Sequence, residues 1–239
     1  MKSPRRLVYK FIARLIALLP ASIITSWFSA KLELIRKAEG PKVIILDEGR
    51  FRDDLIGMSE YSQMELYRCP REAQDRITRI VHYLNKADTD LESDLMDLRF
   101  LCKVLEDLKQ RAKMSAIMSA AVYYRRNILW ERACKKVNLP FVCLHRESAV
   151  EEPDVLRRLV REKKLNFHRP FYGHQIFAGS NHFKAALVES RYVKEDMVVV
   201  TGLPRFDISY HRLQQSKNSD SKRVVLFSFM PAFSVPEVH

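Results

Sequence analysis

Val198-Val199-Val200-Thr201-Gly202-Leu203-Pro204-Arg205-Phe206-Asp207 is the stretch that decides the fold. The apolar run over residues 197–200 predicts a short strand buried on both faces, as in parallel sheets. Thr201-Gly202 ends it, and Gly202 permits a positive-φ turn or a close backbone approach. Pro204 fixes the next turn and removes a backbone donor. Arg205 and Asp207 then fall just past the carboxyl end of the strand, where open α/β sheets hold ligands. An ordinary strand-to-helix turn has the same pattern, so these residues alone leave both readings open.

Short apolar runs and helical periods alternate along the rest of the chain. Pro41-Lys42-Val43-Ile44-Ile45-Leu46 reads as a strand that ends in the polar turn Asp47-Glu48-Gly49-Arg50. Residues 51–68 show no clean period and receive no element. Pro70 sits at a favourable helix start, followed by Ala73, Ile77, Ile80, Val81 and Leu84 at helical spacing. A second helix carries Leu91, Leu95, Leu98, Cys102, Leu105 and Leu108, with Asp88 or Asp90 as its cap. Residues 114–121 form a strand of small apolar residues. The helix after it places Trp130, Ala133, Cys134 and Val137 on one face and stops before Pro140.

Phe141-Val142-Cys143-Leu144 is a buried strand closing with His145-Arg146-Glu147-Ser148. Pro153 opens a basic helix running to Lys164. A weaker strand covers residues 175–178, and Ser180 or Asn181 caps a helix through Val188. Strands separated by helices in this order predict repeated βαβ units, hence a parallel sheet with helices on both faces. Residues 214–222 lack any apolar residue and read as a linker. Arg223-Val224-Val225-Leu226-Phe227-Ser228-Phe229 then starts a new strand. The expected organisation is a basic helical segment over 1–39, an α/β domain over 40–213, the linker, and the first strand of a truncated second domain over 223–239.

A hydrophobic fraction of 47% excludes a disordered chain. Six glycines are few for a chain that spends them on phosphate loops. Residues 1–40 hold eight Lys or Arg against two Glu, which is half of the formal +12. Charge concentrated there points to an anionic membrane surface rather than a nucleic-acid groove. Lys10, Arg14 and Pro20 interrupt the N-terminal apolar stretch, so it is too broken to span a bilayer, which needs about 20 mostly apolar residues. An amphipathic helix lying on a membrane fits, as does one packed on the domain. The four cysteines have no C-x-x-C spacing and read as buried free thiols; no metal site is expected.

His145 and Glu147 follow a buried strand directly, so they are placed to supply a proton acceptor and its hydrogen-bonding partner. A surface loop with Glu147 paired to Arg146 has the same sequence. The remaining histidines are scattered, and His168 and His174 flank the basic aromatic run Arg169-Pro170-Phe171-Tyr172-Gly173, which could contact sugar or phosphate or simply be solvated.

The V-T-G-x-P-x-x-D segment at 200–207 and the H-x-E-S segment at 145–148 together resemble the first domain of bacterial surface-polysaccharide glycosyltransferases of the two-Rossmann (GT-B) type. They are similar, too, to non-hydrolysing UDP-N-acetylglucosamine 2-epimerases and glycerophosphate polymerases. The resemblance covers roughly residues 114–229. It implies a Rossmann-like first domain and transfer of sugar from a nucleotide-sugar donor held mainly by a second domain. The acceptor would be a polysaccharide or a lipid-linked molecule. It implies Glu147 and His145 as catalytic residues, with Arg146, Gly202, Pro204, Arg205, Asp207, Asp47 and Glu48 binding substrate. No cofactor, metal or nucleic acid is implied, and the location would be cytoplasmic, peripheral at the inner membrane face. Where the epimerases place a catalytic aspartate, this chain has Ala120-Ala121-Val122-Tyr123-Tyr124 without an acid, which counts against epimerase chemistry. The alternatives are a 2-epimerase-like or glycerophosphotransferase fragment, or a non-catalytic binding domain.

Overall fold

The computed structural model describes residues 4–46, 52–85, 97–122, 125–145, 170–202 and 214. Helices α1 (Pro4–Leu18) and α2 (Ala21–Ser29) come first, then strand β1 (Glu33–Arg36). There follow β2 (Lys42–Ile45), α3 (Arg52–Tyr61), β3 (Glu65–Arg68), α4 (Arg71–Leu84), α5 (Arg99–Gln110) and β4 (Met114–Ser119). The last described elements are α6 (Ile128–Lys136), β5 (Phe141–Leu144), β6 (Gln175–Ala178), α7 (Asn181–Glu189) and β7 (Val198–Val200). The seven strands form one sheet in the order β1-β3-β2-β4-β5-β6-β7. Every pairing is parallel except β1 with β3. This is an α/β, Rossmann-like architecture.

The strand order has a direct consequence for function. From β2 the chain moves to β3 on one side, then crosses back to β4 on the other. The crossovers therefore diverge between β2 and β4. In open α/β sheets this reversal opens a crevice outside the carboxyl ends of the strands, where ligands bind.

Strand alternation divides the core in two. Val43, Ile45, Leu66, Met118 and Leu144 face Leu55 and Met58 of α3. Ile44, Ile117, Cys143 and Ile176 face the opposite way, into the larger cluster with α2 and α4 to α7. In α4, Ala73, Ile77 and Val81 line the buried stripe. In α5 the stripe is Phe100, Leu101, Val104, Leu105 and Leu108. Each such side chain contributes roughly 1.5–3 kcal/mol by leaving water.

Several expectations change in three dimensions. The strand over 197–200 is not buried on both faces: Met197 lies in a 3₁₀ turn, and Val199 and Val200 are 41% and 37% exposed. With no strand beyond it among the described residues, β7 is an edge strand, and only Val198 is buried. The helix expected from Leu91 to Leu108 under an Asp88 or Asp90 cap instead begins at Arg99, with Leu98 as N-cap. The Asp97 carboxylate accepts from the Arg99 N–H at 2.9 Å and so satisfies the first turn; Asp88 and Asp90 lie outside the described residues. Residues 51–68 do hold structure, α3 and β3. The basic helical segment contributes more than helix, since its residues 33–36 add the antiparallel edge strand β1.

The scarcity of glycine also finds its explanation here. Lys113, Asn138 and Arg191 take positive φ at the turns leaving α5, α6 and α7. Glycine usually holds that position, and a side chain there costs about 1–2 kcal/mol. The Schellman-like ends are kept by hydrogen bonds instead, such as Leu139 N–H to the Cys134 carbonyl at 3.0 Å. All four cysteines are free thiols. Burial pushes the Cys134 thiol well up, which keeps it protonated and unreactive.

Candidate functional site

The sequence-predicted residues follow strands that end at the carboxyl edge of the sheet. The parallel ladder runs one residue past each strand: Leu46 N–H donates to Met118 O (2.8 Å), His145 N–H to Phe177 O (2.9 Å) and Thr201 N–H to Ala178 O (3.0 Å). Strands β2, β5 and β7, far apart in sequence, therefore finish at one edge of the sheet, with β4 and β6 between them; Ile45 is level with Val142 through Met118, so β5 ends beyond β2, and β7 beyond β5. Asp47 and Glu48, Arg146 and Glu147, and Pro204, Arg205 and Asp207 follow those ends in the chain but lie outside the described residues. His145 and Gly202 can be placed.

His145 does not project outward. Strand alternation puts it on the same side as Phe141 and Cys143, and its ring is 1% exposed. It stacks on Phe183 with ring centroids 4.0 Å apart and planes 2° from parallel. Phe183 is held in turn by the first turn of α7, where its N–H donates to the Ser180 Oγ cap at 3.2 Å. The imidazole thus pins the end of β5 to the start of α7. The chain leaves that anchor directly into Arg146 and Glu147. The ring is thus packed inside the fold rather than exposed at the sheet edge.

Gly202 has φ +78°, a conformation that costs a side chain dearly, while a Cβ there would meet nothing within 4 Å. Backbone conformation, not close packing against described atoms, accounts for glycine at this place. The turn carries the chain off the sheet edge toward Pro204 and Arg205.

The structure adds residues that sequence reading passed over. Ser119 ends β4 beside the β2–β4 reversal; it is 1% exposed, and its Oγ has no hydrogen-bond partner among the described residues. Asp54, in the first turn of α3, is fully buried. Gln74, in the first turn of α4, donates from Nε2 to the Asn127 Oδ1 at 2.8 Å, with both side chains buried. Asn127 precedes α6, so this bond ties two helix starts together at the same edge. Gln74 was legible as a polar residue on the apolar stripe of α4. Asp54 lay in a stretch without periodicity, and Ser119 in a run of small residues where a hydroxyl gives no signal. Helices α3, α4, α6 and α7 all start near this edge, presenting the positive ends of their dipoles to it.

The aromatic run around residue 171 belongs elsewhere. Phe171 is buried, packing on Phe141 and Tyr192. A Cβ on Gly173 would come within 2.2 Å of the Phe171 ring. His174 N–H donates to the Phe141 carbonyl at 2.7 Å, and its Nδ1 accepts from the Phe141 N–H at 3.1 Å. Partial burial, with Lys135 nearby, holds the His174 pKa below its ordinary value, which suits an accepting nitrogen. This loop closes the amino-terminal edge of β5 and β6 and is structural, opposite to the candidate site. Of the described part of this loop, Tyr172 is the residue that meets charge, with Arg132 and Lys135 set over its ring at 5.7 and 5.8 Å.

Among the described residues, no group of three His, Cys, Asp or Glu side chains could hold a metal ion. No protein-family model matches the chain, and no curated protein does. Among solved structures it is similar to UDP-GlcNAc 2-epimerase from Neisseria meningitidis, in a structure bound to UDP-GlcNAc. The identity is 16% and the TM-score 0.38; the match covers 74% of this chain and 50% of the other. The chain thus spans about half the length of that neighbour. Overlap this loose assigns no residue a role.

Proposed function

We propose that the chain is the acceptor-side domain of a glycosyltransferase that moves sugar from a nucleotide donor onto a surface polysaccharide or a lipid-linked acceptor. One observation carries the reading: β2, β5 and β7 all end at the carboxyl edge of one sheet, so three sequence-remote polar segments follow strand ends at the same edge. Those segments hold Asp47-Glu48, Arg146-Glu147 and Pro204-Arg205-Asp207, the residue types needed to position an acceptor hydroxyl and a donor phosphate. Glu147 acts as base or acceptor-positioning group, His145 fixes its direction from beneath, and Arg205 approaches donor phosphate. An epimerase reading is disfavoured because the turn after β4 offers buried Ala120, Ala121 and Val122 where that chemistry needs an acid.

The test is sugar transfer from UDP- and GDP-sugars by the complete protein, wild type against Glu147→Gln. The variant keeps size and hydrogen-bonding shape while removing charge. Turnover is expected to fall 10²–10⁴-fold, about 3–5 kcal/mol of barrier, at unchanged melting temperature. Turnover within about threefold of wild type removes Glu147 from the mechanism. Absence of binding to any nucleotide sugar by the complete protein overturns the reading as a whole.

A further inference from the structure

Helices α1, α2 and α4 enclose a groove of about 680 Å³, within the range of about 300–1,000 Å³ typical of small-molecule pockets. Its walls are apolar: Tyr9, Ile12 and Ile16 from α1, Trp27 from α2, and Ile80 and Tyr83 from α4. Among the described residues its charged lining is Arg76 and Arg79, with no carboxylate. Asp75, the nearest acid on α4, is engaged by Arg71 at 3.7 Å. Tyr9 stacks on Tyr83 with centroids 5.5 Å apart, which fixes α1 along one wall.

The groove does not end at its rim. Ile12, Leu19 and Ile23 line it and are also 43%, 44% and 53% exposed. They continue into an outward strip of Val8, Phe11, Leu15 and Leu18, the last 81% exposed. At 100° per residue this strip occupies one flank of α1, and Lys10 and Arg14 occupy the other. Scattered exposed leucines are ordinary, but a contiguous apolar strip edged by cations and opening into an apolar groove is not. No single helix is long and apolar enough to cross a membrane, and α1 and α2 are bent by 105° at Pro20. The pair is shaped to lie along an interface.

We infer that this face docks on an anionic phospholipid leaflet, the outward strip of α1 entering the acyl region and the groove taking one lipid chain whose phosphate pairs with Arg76 and Arg79. Charge complementarity selects this occupant. A partner helix or a second copy would find apolar walls equally suitable, but neither accounts for four cations, Lys10, Arg14, Arg76 and Arg79, around an apolar surface without a matching acid in the lining. Membrane attachment by apolar area plus basic residues follows from the same physics. The inference does not depend on the transferase reading.

Flotation of the full chain with phosphatidylcholine vesicles, with and without 30 mol% phosphatidylglycerol, tests it. Each basic residue near an anionic leaflet is worth about fivefold in partition, so Arg76→Gln/Arg79→Gln should lower binding to anionic vesicles roughly 25-fold. Phe11→Ser/Leu18→Ser should abolish flotation while leaving the circular-dichroism spectrum unchanged. Lipid brominated along the acyl chain should quench the fluorescence of the folded chain, and Trp27→Phe should remove that quenching, since the other tryptophan, Trp130, is in the core. Equal flotation of wild type and both double variants overturns the inference. So does flotation without any Trp27-dependent quenching, which would leave the groove empty. A concentration-dependent dimer that fails to float overturns it in favour of a second copy.

Discussion

Helices α1 and α2 are neighbours in sequence with similar apolar content, yet the fold treats them oppositely. Helix α2 buries Ile24 and Phe28, and the Phe28 ring lies 5.8 Å from Trp130 in the middle of the main core. Helix α1 buries Ala13 and leaves Val8, Phe11, Leu15 and Leu18 in solvent. The difference lies in what each helix meets. Helix α2 packs against α5, which is apolar along a full stripe, whereas α1 lies chiefly against α4, where Arg76 and Arg79 stand beside Ile80 and Tyr83. Amphipathic character therefore does not say which helix completes the core and which presents a surface. The partner decides.

Three substitutions probe that contrast. Phe28→Ala should be the most damaging, because it removes a fully buried ring and its aromatic partner contact; a loss of about 3–5 kcal/mol is expected in urea unfolding. A loss below 1 kcal/mol would mean that α2 is an appendage like α1, and the contrast would collapse. Gln74→Ala comes next. It leaves the buried Asn127 amide without its partner on α4, at a cost of about 1–3 kcal/mol. A double-mutant cycle with Asn127→Ala should show coupling, since both changes delete the same bond. Leu18→Ser should do least, within about 0.5 kcal/mol, because the side chain is already in water. Destabilisation by more than 1 kcal/mol would show that the outward strip of α1 is covered by the protein's own chain.

Much of the scaffold was legible before any coordinates. The strands at Val43, Phe141 and Gln175 and the helices opening at Pro70 and after Ser180 announce themselves through apolar runs and terminal residues. These signals are local, arising within a turn or two of chain. Residues 51–68 were silent because α3 is short, with few apolar residues in regular spacing, and β3 carries charged Glu65 and Arg68 at its ends. Those charges meet partners across the sheet, Lys42 on β2 for Glu65 and Glu33 on β1 for Arg68, besides the Tyr67 hydroxyl that donates to Glu65 within β3. A pattern completed across a sheet cannot be read along a strand.

The candidate site divides in the same way. Sequence alone determined that polar residues follow apolar strands at 46, 144 and 200, because an apolar run must stop where the chain meets water. It also determined that Gly202 occupies a turn, because positive φ excludes most side chains. Only the tertiary structure decided that these three ends lie at one edge of the sheet, that the crossovers diverge between β2 and β4, and that His145 turns inward onto Phe183. It likewise placed β7 last in the sheet among the described residues and left one of two amphipathic helices half uncovered. Those outcomes depend on which strand pairs with which and on what each helix packs against. Such contacts join residues tens of positions apart, and their free energy exists only once the sheet has closed around them.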